Sequence, residues 1–91
     1  MFTIERIELG KIELKVELPE GKTQKELIEE AIGEIQLMQS NTRCFYGEHV
    51  YLTGRITTGM SLMLGHFLAH ICKSVSIFDP KENAYIKCIS H

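Results

Sequence analysis

The residues able to do chemistry gather in the second half of this 91-residue chain, where residues 49–91 hold all four histidines. Four short stretches stand out there: VYLTGR, LGHFLAH, FDPK and ISH. His66 and His70 lie four apart, so on a helix they share one face and converge, a known metal-ligand spacing. Phe67 stands where a zinc protease of the HExxH type would carry its glutamate, so that chemistry is excluded. Asp79 ends an apolar run and offers a carboxylate that, with histidine, makes a hard-metal or acid–base set. Gly54-Arg55 follows an apolar stretch and precedes a helical one. Such a strand–turn–helix junction presents free N–H groups and a positive dipole end to an anion, and Arg55 adds a bidentate donor. Each has a plainer reading: Arg55 in a solvated turn, one histidine hydrogen-bonded in a core, Asp79-Pro80 opening a turn with Lys81, Glu82 and Asn83.

The elements that must position these groups are legible in order. Phe2, Ile4, Ile7 and Leu9 alternate with a slip at Glu5-Arg6, and Ile12, Leu14, Val16 and Leu18 alternate cleanly. Gly10-Lys11 between them marks a hairpin, and the slip a bulge. Thr23 with Glu26 forms a capping box, and Leu27, Ile28, Ala31, Ile32, Ile35 and Met38 make a helical stripe. Gln39 to Gly47 is polar and aperiodic, a loop. Glu48 to Thr53 reads as a strand and GRITTG as a turn with Thr57 or Thr58 as N-cap. A largely apolar helix runs from about Gly59 to Cys72, suited to burial at a subunit interface. Strands at Ser74–Phe78 and Ala84–Ile89 flank a turn at 79–83. The expectation is one α+β domain over residues 1–91, a two-layer sandwich of order ββαβαββ. In that layout His91 ends the last strand and is expected to approach Asp79 across the hairpin.

Composition narrows the function classes. Apolar residues make 44% and charged residues 24%, as in an ordinary globular protein. No apolar run reaches the roughly 20 residues of a membrane span, and MFTIERIE does not read as a signal peptide, so a cytoplasmic protein without membrane contact is expected. Cys44, Cys72 and Cys88 are odd in number and lack a CxxC, which argues against a disulfide framework or a Cys-rich zinc site. Cys72 and Cys88 are expected to pack as small hydrophobes, and Cys44 to be accessible. Residues 1–48 carry ten acidic and six basic side chains, residues 49–91 two and four, so an anionic ligand favours the second half. A GxSxG elbow, a zinc-finger pattern and an RNA-recognition aromatic signature are all missing.

Taken together, VYLTGR, LGHFLAH, VSIFDPKENAY and ISH resemble the small CRISPR-associated Csx-three proteins, ring nucleases linked to type III systems. The resemblance covers roughly residues 50–91. It implies binding and cleavage of a cyclic oligoadenylate second messenger of antiviral defence, most of all cyclic tetra-adenylate. It also implies manganese as cofactor, a homodimer or higher homo-oligomer, and a related 3′ RNA deadenylating exonuclease activity. On this chain it assigns His70, Asp79 and His91 to a metal or acid–base cluster, with Lys81 supplying positive charge in the catalytic set. Thr53, Gly54, Arg55 and His66 line the ligand surface. Two departures stand out: Lys73 occupies a position where some relatives carry a further histidine, and the sequence ends at His91 where relatives continue. They favour an alternative, a sensor or sponge that binds cyclic oligoadenylate without cleaving it. A third reading is an assembly protein with its histidines packed inside.

Overall fold

A computed structural model describes residues 1–90, as five strands and two helices: β1 (Phe2–Glu8), β2 (Lys11–Val16), α1 (Gln24–Thr42), β3 (His49–Gly54), α2 (Thr58–Ala69), β4 (Ser74–Asp79) and β5 (Ala84–Ser90). The expected order ββαβαββ and the α+β sandwich are both present. The sheet runs β1-β2-β3-β4-β5, so every strand lies beside its sequence neighbours. β1 and β2 form an antiparallel hairpin, as do β4 and β5. The central pairs, β2 with β3 and β3 with β4, are parallel, because each is joined by a helical crossover.

The alternation in β2 and β3 explains the layering. Ile12, Leu14, Val16, Val50, Leu52 and Val75 point to one face and share a single core with Leu27, Ala31 and Ile35 of α1 and Met60, Leu64 and Leu68 of α2. Both helices therefore cover the same face of the sheet. The alternate residues Glu13, His49, Tyr51, Thr53, Ser76, Phe78 and Tyr85 fall on the other face, which carries no helix.

Several boundaries differ from the sequence expectation, each for a local reason. The hairpin irregularity falls between Arg6 and Glu8 rather than at Glu5-Arg6. α1 opens on the expected capping box but continues to Thr42, where Arg43 in the left-handed region (φ 51°) donates its N–H to Gln39 and ends the helix. Thr57, not Thr58, caps α2 by accepting from the Met60 N–H. α2 stops at Ala69 with His70 as C-cap, three residues short of Cys72. The Cys72 N–H still bonds the Leu68 carbonyl at 2.8 Å, so the apolar run continues as a turn that leads into β4. Cys72 packs inside as expected, but Cys88 is exposed on the edge strand β5 and Cys44 is half-buried. Leu62 on the outer side of α2 is 73% exposed.

Candidate functional site

Parallel strands give the sheet two chemically distinct ends. At the carboxyl end lie Gly54-Arg55 after β3, Asp79 and Lys81 after β4, and the N-termini of both helices. Open parallel sheets bind ligands at this end. Thr53 and Gly54 sit just beyond Leu52, and Phe78 and Asp79 just beyond its partner Ile77, so the two termini run side by side. Gly54 has φ +98°, and a Cβ there would stand 2.3 Å from the Val16 carbonyl oxygen. Its glycine is thus required by the backbone itself, and the following Arg55 N–H donates to that same Val16 oxygen at 3.2 Å. Arg55 and Lys81 are exposed.

Much of this end is already satisfied internally. The Thr57 hydroxyl caps α2 and accepts a second bond, 2.7 Å, from Gln24 Nε2 at the start of α1. The Asp79 carboxylate accepts the Lys81 N–H at 2.9 Å, closing the turn over Pro80. Asp-Pro acts here as the turn chemistry dictates, and one carboxylate oxygen of Asp79 is engaged in doing so.

The amino end of the same strands holds the other candidates. His66 and His70 are exposed neighbours, their rings edge to face at 4.9 Å between centroids. His70 borders two grooves. One, of about 430 Å3, is apolar and runs between the helices past Ile32, Met63 and Phe67. The second, of about 550 Å3, lies between the loop before β3 and the turn after α2, and is lined by Tyr46, Gly47, His70 and Lys73 among others. His49, the first residue of β3, shares a 2.6 Å hydrogen bond from its Nδ1 with Ser74 Oγ, the first residue of β4.

The structure brings His66 to His70, and Thr53, Gly54, Arg55, Asp79 and Lys81 to one edge, but it does not unite the two groups. β4 spans six residues from Ser74 to Asp79, about 16 Å at a strand's rise. α2 runs back along that length, so His70 and Asp79 are separated by the whole sheet. β5 is antiparallel to β4, with Ala84 beside Asp79 and Ser90 beside Ser74. Ser90, the last described residue, therefore lies at the end of the β4–β5 hairpin opposite Asp79. His91 itself lies outside the described residues. Among the described residues, no three His, Cys, Asp or Glu side chains are grouped to hold a metal ion. His70 and Asp79 of one chain do not fit a shared manganese ion, whose ligands must all lie within about 2–3 Å of it.

Sequence reasoning overlooked two features. The open face carries an aromatic row: Tyr51 and Phe78 each meet Tyr85 edge to face, at 5.1 and 5.4 Å between centroids. The Tyr85 hydroxyl donates to Glu13 at 2.9 Å. Burial, then the Glu13 carboxylate, pushes the Tyr85 pKa upward. Alternation in VYLT, with Tyr51 and Thr53 out of phase with Val50 and Leu52, carried that signal. The second feature is the 43–48 loop, most of it within the Gln39–Gly47 stretch read as a plain loop, whose Tyr46 is 63% exposed with the Arg43 guanidinium 5.0 Å from its ring centre. No described helix is long and apolar enough to cross a membrane. No family model, curated protein or solved structure matches the chain.

Proposed function

We propose that this chain is a phosphodiesterase of the ring-nuclease kind, acting on cyclic oligoadenylate and completing its active site between two copies. The observation that carries this reading is the gathering of Arg55, Lys81 and Asp79 at the carboxyl ends of β3 and β4, beside the N-terminus of α2. A phosphodiester needs its charge neutralised, which Arg55 and Lys81 supply by charge-assisted hydrogen bonds. Its leaving oxygen needs a proton, which an exposed imidazole such as that of His70 can donate as a general acid. These groups lie at opposite ends of one chain, so the reaction requires the carboxyl end of one copy to face the histidine end of another. Any manganese ion held by His70 and Asp79 would likewise draw on two chains. The ligand class comes from the resemblance of LGHFLAH, FDPK and ISH to the Csx-three proteins, and cyclic tetra-adenylate and RNA 3′ ends are its candidates.

The separation of the two groups also suits the second reading, a chain that binds the ring without cutting it, because binding alone does not require them to meet. One experiment separates the two. Labelled cyclic tetra-adenylate is incubated with the protein, with manganese and with chelator, and products are resolved from substrate. The nuclease reading expects linear products that vanish in Asp79→Ala and in His70→Ala, and that return when the two inactive variants are mixed. Activity that stays lost on mixing removes the shared site. Intact ring bound tightly under every condition establishes the sensor, and the absence of both cleavage and binding removes both readings.

A further inference from the structure

We propose that the groove between the 43–48 loop and the turn after α2 is a purine-nucleotide subsite, with the base stacked on Tyr46 and the phosphate held at Lys73 and His70. The loop is built as a rigid platform. Phe45 is fully buried, its N–H donates to Gln39 Oε1 at 3.2 Å, and its carbonyl accepts from the buried Cys72 thiol at 3.3 Å. Gly47 N–H bonds the Ile71 carbonyl and Lys73 N–H bonds the Glu48 carbonyl, each at 2.9 Å, tying the loop to the turn after α2. Against that fixed frame the adjacent Tyr46 stays mostly in solvent, an aromatic the core does not use. The Arg43 guanidinium lies over one face of its ring, 5.0 Å from the centre, so a base would stack on the opposite face with that cation behind it.

Charge selects the occupant. Lys73 and His70 line the groove, Arg43 adjoins it, and no carboxylate is among the lining residues. The nearest acid in sequence, Glu48, is paired with Arg6 at 2.6 Å. A flat apolar surface with cations around it matches a base joined to a phosphate better than an apolar peptide. The volume, about 550 Å3, falls in the range of small-ligand sites. A purine offers a larger stacking surface than a pyrimidine. The proposal rests on the preceding reading only for its place in ring cleavage: it would hold one nucleotide of the substrate next to His70.

The test is a titration of adenosine 5′-monophosphate into the isotope-labelled full chain, followed through backbone amide shifts. Saturable shifts at Tyr46, Gly47 and Lys73 are expected. Tyr46→Ala should weaken binding about tenfold, the scale of one lost stacking contact, and Tyr46→Phe should restore it. Lys73→Glu should weaken the monophosphate more than adenosine. Shifts confined to the Arg55–Lys81 end, or unchanged binding by Tyr46→Ala, would overturn the proposal. Nucleotide binding as described in a chain that leaves the ring intact would uphold the groove and sink the nuclease instead.

Discussion

The two ends of the sheet differ in what their conspicuous residues already do. At the carboxyl end, Gly54 is demanded by the 2.3 Å clearance to Val16, Thr57 is spent capping α2, and Asp79 closes its own turn. Arg55 and Lys81, by contrast, are exposed, with no hydrogen-bond or ion-pair partner for their side chains among the described residues. At the amino end, the buried Phe45 and the His49–Ser74 bond fix the backbone, while the side chains of Tyr46, His66, His70 and Lys73 make no hydrogen bond or ion pair among the described residues. A motif that looks functional can serve the fold, whereas a loop without a motif can present the more available chemistry. Substitutions that separate frame from ligand groups at each end put this contrast to the test.

The largest effect is expected at the amino end. Phe45→Ala empties a fully buried aromatic site and should cost about 3–5 kcal/mol, measured by urea denaturation. Tyr46→Ala beside it should change stability by less than about 0.5 kcal/mol, as an exposed position does. Comparable losses at both positions would mean that Tyr46 belongs to the frame after all.

At the carboxyl end the matching pair is Gly54→Ala against Arg55→Ala. A Cβ at position 54 meets the Val16 backbone on a chain held at φ +98°, so the loss should reach about 3 kcal/mol. Arg55→Ala should leave the thermal midpoint nearly unchanged while weakening anion binding. A Gly54→Ala protein as stable as the parent would show that the β3 terminus relaxes easily and that its glycine serves a ligand.

This pair also shows what was legible in the sequence. Element order followed from strict alternation in Ile12–Val16 and from the capping box at Thr23, because both encode one buried face directly. Sheet order and the parallel central strands set the distance between His70 and Asp79, and no local pattern reports that distance. Four-residue spacing brought His66 to His70 because a helix repeats locally. The expectation that His91 approaches Asp79 falls outside the described residues, the last of which, Ser90, pairs with Ser74 at the start of β4. Tyr46 was missed because exposure within an aperiodic loop leaves no periodic trace. Cys88 was misassigned because an apolar context on an edge strand does not ensure burial.

Cys72 gives the amino end a pH signature. Burial pushes its thiol from 9.0 up to about 12. The unfolded thiol ionises first as pH rises, so the folded state binds more protons, and stability falls between the two values. By pH 11 the loss should approach about 3 kcal/mol. Cys72→Ala, compared by chemical denaturation at pH 8 and pH 11, should show a correspondingly smaller decline. An equal decline in both proteins would place the thiol in contact with water, and with it the frame beneath Tyr46.

The smallest effect concerns the open face, which belongs to neither end. Tyr85→Phe keeps the ring contacts with Tyr51 and Phe78 and removes only the hydroxyl that donates to Glu13. The net loss near neutral pH should be about 1 kcal/mol, the usual worth of one such bond. Because the Tyr85 pKa is raised in the folded state, the hydroxyl's contribution is intact below the unfolded value near 10 and disappears as pH climbs through the folded one. The parent and Tyr85→Phe proteins should therefore converge in stability above that range, whereas at pH 7 they differ. The absence of any gap at pH 7 would mean that Tyr85 stabilises through its ring packing alone, and that the Glu13 bond ties β5 to β2 with no net energy.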